Sequence, residues 1–392
     1  MIYLDHAATT PLRAEALDAM LPWLRDGFGN ASSLHAAGRR ARVAVDTARE
    51  TVARVVGCEP GEVVFTSGGT EADNAALHVL RSPAMRTAGR TALVTSAAEH
   101  EAVRRPAERL AADGHDVTVV PPAPTGAADV DAMLAALAPN ASPAVGLVSA
   151  MLVNNETGAV TDVRALADAA HAAGAWMHTD AVQAAGVLPV DLDALGADLV
   201  TLSAHKVGGP KGAGALIVRA GVPLDSFVAG GAQERGRRGG TENVPAIVGF
   251  ATALRLAADE QPATAERLAG LRARLLDRLD DALGGRFVVH TPLDAPGASA
   301  PHILCVSFPP GPRGPLDGQM LLAGMDLDGV AVSAGSACTS GALEPSHVLL
   351  AMGVPRETAG ATIRFSLGRD TTADDVDAAA DTLARVVARV GG

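Results

Sequence analysis

The sequence predicts an α/β protein: a large domain built on a mostly parallel sheet, followed by a smaller α+β domain. Short β-type runs alternate with helical stretches through the first two-thirds of the 392 residues, the pattern of strands joined by crossover helices. Several of these runs are apolar throughout, as strands covered on both faces must be. Beyond about Asn243 the alternation gives way to a long helical region and then to mixed elements.

Seven strand candidates fall at 62–66, 91–95, 116–120, 145–153, 176–180, 199–203 and 214–219. A helix is expected over 39–56, where Ala41, Val45, Ala48, Val52 and Val55 recur on one face. A long helix over 246–283 follows, then strands at 287–290 and 303–307. The closing helix begins after the cap candidates Thr371 and Thr372 and carries Val376, Leu383, Val387 and Val390 on one face.

Hydrophobic residues make up 48% of the chain and charged residues 19%, which excludes a disordered polymer. Lys+Arg number 32 against 44 Asp+Glu, a net charge of −12, so direct binding to nucleic acid or to an anionic membrane is not expected. The longest apolar stretch, 144–153, is far shorter than the ~20 residues of a membrane span. The opening Met1-Ile2-Tyr3-Leu4-Asp5-His6 lacks the basic and apolar regions of a secretion signal, so a cytoplasmic location is expected. Cys58, Cys305 and Cys338 are widely spaced with no CxxC, which excludes a disulfide framework and a zinc knuckle. Cys58 and Cys305 lie in apolar contexts and read as structural. Cys338 sits among small polar residues and glycines over 333–341, a run expected to form a mobile surface loop in which an exposed thiol would be reactive.

Of the 32 basic residues, 30 are Arg and only Lys206 and Lys211 are Lys. A lysine retained in so Arg-biased a chain is a candidate for what guanidinium cannot do, losing its proton and attacking a carbonyl. Lys206 ends the run Ser203-Ala204-His205-Lys206 at the C-terminal edge of a strand, where open α/β sheets bind ligands. Asp180 closes another apolar strand in His178-Thr179-Asp180-Ala181-Val182-Gln183, and there it either caps a helix or needs a cationic or hydrogen-bonding partner. Ser67-Gly68-Gly69-Thr70 joins a strand to a helix and can close backbone amides around an anion. An anion cup, a carboxylate and a lysine amine are together the set that pyridoxal phosphate requires.

These segments resemble the cysteine desulfurases of the NifS/IscS type, within the class V group of fold-type I pyridoxal phosphate enzymes. The resemblance runs nearly end to end, through 3–10, 29–35, 66–70, Ala98-Glu99-His100, Val153-Asn154-Asn155-Glu156-Thr157-Gly158, 178–183, 203–206, 233–243, 335–338 and 363–369. It implies a cofactor-binding domain over 15–255 and a small domain from 1–14 and 256–392 that carries the Cys338 loop. It implies that Lys206 holds the cofactor as a Schiff base and shuttles the α-proton. His100 would stack on the ring and serve in acid–base steps, Asp180 would pair with the ring nitrogen, and Gln183 would bond the ring hydroxyl. Gly69, Thr70, Ser203 and His205 would hold the phosphate, joined by Thr241 from the second subunit of a homodimer. Arg364 would grip the substrate carboxylate, assisted by Asn155.

Cys338 would take sulfur from L-cysteine as a persulfide, leave alanine, and donate the sulfur to acceptor proteins such as an iron–sulfur cluster scaffold. Selenocysteine lyase activity and dedicated tRNA or DNA thiolation are the alternative roles. No metal is expected, except that Cys338 could ligate a cluster transiently. Arg235, Arg237 and Arg238 form a local basic cluster expected to be a solvated loop rather than a docking site.

Overall fold

All seven strand candidates of the first two-thirds pair into one sheet. In the computed structural model, which describes residues 1–137, 143–334 and 344–391, twelve strands form among the described residues. They are β1 (Ile2–Tyr3), β2 (Val63–Thr66), β3 (Ala92–Ser96), β4 (Val117–Val120), β5 (Val145–Ser149), β6 (Trp176–Asp180), β7 (Leu199–Ser203), β8 (Gly214–Val218), β9 (Val288–Val289), β10 (Ile303–Ser307), β11 (Val330–Ala331) and β12 (Thr362–Ser366). The large sheet has the order β2-β8-β7-β6-β5-β3-β4. Strands β4, β3, β5, β6 and β7 run parallel, whereas β8 is antiparallel to both β7 and β2. The two reversals cancel, so β2 points the same way as the parallel five. The C-terminal ends of six strands therefore open on one edge.

Successive strand residues feed two separate apolar layers. Val63, Phe65, Val94, Val148, Met177, Val200, Leu202 and Ile217 join one core with the helices Ala36–Val56 and Val163–Ala172. Val64, Leu93, Leu147, Leu199 and Leu216 join the other with Gly69–His78 and Glu101–Ala112. This period-two division, with helices on both faces, is why the strands read as continuous apolar runs. The expected strand 145–153 ends at Ser149. Past that point β3 has run out, and Ala150 and Leu152 donate only to the carbonyls of His178 and Asp180, at 3.1 and 2.9 Å.

The helix Val244–Leu283 begins at the Asn243 cap and stops at Gly284, where φ is +58°. Its first half buries Ile247, Phe250 and Leu254 in the large core. Its second half buries Leu268, Leu275 and Leu279 in another core, with Leu4, Val306, Ile363, Phe365, Leu383 and Val386. There β12, β10 and β9 form an antiparallel sheet under the closing helix Ala373–Gly391. Strands β1, β11 and β12 are not apparent from sequence patterning. Cys305 is buried and burial pushes its thiol pKa up; the half-buried Cys58 is pushed up to about 12, so both are inert at neutral pH.

A buried ion pair fastens the loop before the long helix. Arg49 meets Glu234 through two hydrogen bonds of 2.8 and 2.7 Å, and the Phe65 N–H donates to the same carboxylate at 3.0 Å. Among the described residues, Glu234 and Arg235 are the two non-glycine residues with positive φ, +47° and +57°, a conformation that needs such an anchor. Arg235 donates to the Pro60 carbonyl, Arg237 to the Gly61 carbonyl and Arg238 to Glu71, so all three members of the basic cluster are bound to their own chain. Arg49→Leu, which strands Glu234 without a cation, is expected to lower unfolding stability by about 3–5 kcal/mol in a denaturant titration. Replacing both partners with leucine is expected to recover part of that loss.

Candidate active site

Five strands of the large sheet bring the candidate residues to one edge. Thr66 ends β2, Asp180 ends β6 and Ser203 ends β7. His100 follows β3 and caps the next helix, its Nδ1 accepting from the Ala102 N–H at 3.2 Å. Asn155 lies on the segment beyond β5, and Arg364 enters from β12 in the small core.

The turn from β2 into the helix Gly69–His78 requires glycine. Gly68 has φ +151° and ψ −177°, a region closed to other residues. The first amides of that helix lack intrahelical partners and carry the positive end of its dipole. A Cβ on Gly69 would lie 3.6 Å from Ser203 Cβ, which puts the Ser203 hydroxyl against this helix start. Ser203 Oγ is buried and has no hydrogen-bond partner, a cost that an anion seated at the amides would remove. Thr70 is exposed in the same first turn. His205 contacts Thr9 Oγ1 at 3.1 Å; burial, then Lys206 and Lys211, lower its pKa to about 4, so it acts as a neutral hydrogen-bonding group.

Asp180 is buried, with Oδ1 accepting from the Val182 N–H at 2.8 Å. Burial first, then the Asp73 carboxyl, raises its pKa to about 7. Lys206 is pushed the other way, to about 8, by burial and then by Arg364, against the pull of Asp180 and Asp5. Its Nζ donates to the carbonyls of Ala7 and of Ala8, the latter at 2.9 Å. Gln183 donates to the same Ala7 oxygen at 2.8 Å. His100 is exposed at this edge, yet desolvation lowers its pKa, helped by Lys206 and opposed by Asp180. Polar atoms of Asp73, His100 and Asp180 all lie within 4.8 Å of one another.

Arg364 is buried and already engaged. Nη1 donates to the Asn155 carbonyl at 2.7 Å, Nη2 meets Asp5 Oδ1 at 2.8 Å, and Nε has no partner. The Asn155 side chain is half-buried beside it. Thr241 is exposed on the loop before the long helix, next to Glu242, which faces Arg42 at 3.8 Å. Cys338 lies outside the described residues. The residues on either side of that segment are held near Arg364 and Asn155. Ser333 and Arg364 exchange two backbone hydrogen bonds, and the Ser346 hydroxyl donates to the buried Glu156. Asp5, Asp73 and Glu156 were not singled out from the sequence; Glu156 adjoins Asn155 and Asp73 lies one helical turn from Thr70, whereas Asp5 adjoins no candidate residue.

An anion cup, a buried acid and a lysine of lowered basicity on one sheet edge could hold an anionic aldehyde, and the orphaned Ser203 hydroxyl and buried Asp180 fit pyridoxal phosphate. The family model for class-V aminotransferases matches residues 2–379. A cysteine desulfurase of Cereibacter sphaeroides is 44% identical over 98% of this chain and 95% of its own length. Cysteine desulfurase IscS of Dictyoglomus turgidum is 40% identical over 99% of this chain and 95% of its own. A solved NifS-like protein superposes with a TM-score of 0.88 at 34% identity, covering 99% of both chains. The chain belongs to the class-V aminotransferase family and, within it, stands with the cysteine desulfurases.

The lowered basicity of Lys206 has a direct readout, because only Lys211 competes in peptide mapping. With the amine depressed to about 8, its acylation by an amine reagent is expected to be slow at pH 6 and to rise to half-maximal near pH 8. Half-maximal labelling near pH 10.5, the ordinary lysine value, would contradict the desolvated environment.

Proposed function

We propose that the protein is a pyridoxal-phosphate-dependent cysteine desulfurase that removes sulfur from L-cysteine, releases L-alanine and passes the sulfur to acceptor proteins such as a cluster scaffold. The observation that carries this is the convergence of the unpartnered Ser203 hydroxyl, the Asp180 carboxyl and the Lys206 amine on one sheet edge. Pyridoxal phosphate, when bound, supplies an aldehyde for an amine and a ring that accepts electrons from the substrate carbon.

The residues divide the remaining work. Gly69, Thr70, Ser203 and His205 hold the phosphate. Asp180 would pair with the ring nitrogen and hold a proton there, Gln183 would bond the ring hydroxyl, and His100 would stack on the ring. The Lys206 amine, neutral over a wider pH range than a free lysine, holds the aldehyde and moves the proton at the substrate Cα. Arg364 receives the substrate carboxylate with its unpaired Nε and the nitrogen that now meets Asp5, and Asn155 closes that end. The Cys338 thiolate attacks the substrate sulfur; the C–S bond breaks with its electron pair left on carbon, and the persulfide stays on Cys338.

The working unit is a homodimer in which Thr241 reaches the partner's phosphate site. Phe28 and Leu34 are 88% and 90% exposed, and Val43 is exposed on the helix whose Arg42 faces Glu242. Exposed apolar side chains of this size suit burial against a second copy. Large and small domains bounded at 15–255 and at 1–14 with 256–392 suit this division, the first holding the cofactor and the second bringing Arg364.

The holoprotein is expected to absorb visible light and to convert L-cysteine, with a thiol reductant, to equal amounts of alanine and sulfide. Cys338→Ala is expected to keep the absorption while sulfide release falls at least ~100-fold. Turnover by that variant at the parent rate would overturn the thiol assignment, and a Lys206→Ala variant that retains activity would overturn the imine.

A further inference from the structure

Asp73 has no part in the reaction as set out above, yet it is built into the site. It stands one turn into the helix Gly69–His78 and is 1% exposed, with a carboxyl oxygen within 4.8 Å of one on Asp180 and with its Oδ1 buried and without a hydrogen-bond partner. No full cation is paired with it among the described residues. The ring beside it is His178, whose Nε2 is 3.5 Å from Asp73 Oδ1. That nitrogen meets Thr201 Oγ1 at 3.1 Å, and the opposite ring nitrogen meets Ser149 Oγ at 2.8 Å. Burial lowers the His178 pKa to about 4, so the ring is neutral and brings no charge to the pair. Glu99, the third buried acid facing the pair, has its pKa raised well above the ordinary value by burial, and its Oε1 accepts from the Met151 N–H at 2.9 Å.

A hydrogen bond between two carboxyl groups exists only when one of them carries a proton, and two desolvated carboxylates this close do not both ionise. We propose that Asp73 is a positioning residue that holds a proton and donates it to Asp180, so that the pair presents one negative charge, aimed from Asp180 at the ring nitrogen. The Val182 N–H fixes Asp180 Oδ1, and the shared hydrogen fixes the carboxylate a second time. The raised pKa values, about 7 for each acid, agree with a pair that titrates jointly. This inference rests on the proposed function only in placing the ring nitrogen at Asp180.

The test has two arms on the full-length protein. In infrared spectra of the cofactor-free protein at near-neutral pH, the parent is expected to show the carbonyl stretch of a protonated carboxyl that is missing from Asp73→Asn. Glu99 and Glu156, also buried with raised pKa values, contribute equally to both spectra and cancel in the difference. In equilibrium titration with pyridoxal phosphate, Asp73→Asn, which can still donate a hydrogen bond, is expected to bind within ~3-fold of the parent. Asp73→Leu is expected to bind about tenfold or more weakly, the loss of a hydrogen bond to a charged group. No difference band, an asparagine variant as weak as the leucine one, or a leucine variant that binds normally would each overturn the proposal. Failure of the parent to bind pyridoxal phosphate would instead overturn the cofactor assignment and leave the infrared result standing.

Discussion

Removal of water from the C-terminal edge of the sheet is the constraint on which the chemistry of this protein depends. Burial is the leading cause of every large pKa shift in the cleft. It lowers Lys206 to about 8, raises Asp180 to about 7 and keeps His178 and His205 neutral. None of these groups would differ much from its free counterpart on an open surface. The sheet produces the dry edge by its topology: six strands end there, and helices bury both faces behind them. A desolvated acid and a desolvated amine can then stand near each other without either being neutralised by solvent ions.

The first ten residues tie this edge to the small core. Ile2 and Tyr3 pair with β11, and Leu4 is buried among Val306, Ile363 and Phe365. The next residues cross to the large sheet, where the Ala7 and Ala8 carbonyls accept from Lys206 and the Thr10 hydroxyl donates to the His205 carbonyl at 2.8 Å. Asp5, between these anchors, meets Arg364. One short segment therefore sets the position of the lysine and the arginine together. The long helix Val244–Leu283 is a second link, because it contributes to both cores.

Much of this was legible in the sequence, for identifiable reasons. The strands of the large sheet stand out because burial on both faces demands unbroken apolar runs. Lys206 stands out because one other lysine remains in an arginine-rich chain, and Asp180 and Ser203 because a polar residue closing an apolar strand marks the sheet edge. β1 and β11 were not legible: two residues carry no period. β12 was hidden by the buried Arg364 in its centre, whose charge is met by Asp5 from 359 residues away. Asp73 reads as an ordinary polar residue of an amphipathic helix until the fold sets it against Asp180.

The sequence by itself determined which residues end strands, which turn must be glycine and which lysine was kept, because these follow from local periodicity, backbone conformation and composition. Only the tertiary structure decided which charges meet. Whether Asp73 shares a proton with Asp180, and whether Arg364 is held by Asp5 or free for a substrate, depends on segments brought together by strand order and helix crossing. An electrostatic partner is chosen by distance and dryness in space, and neither quantity is written along the chain.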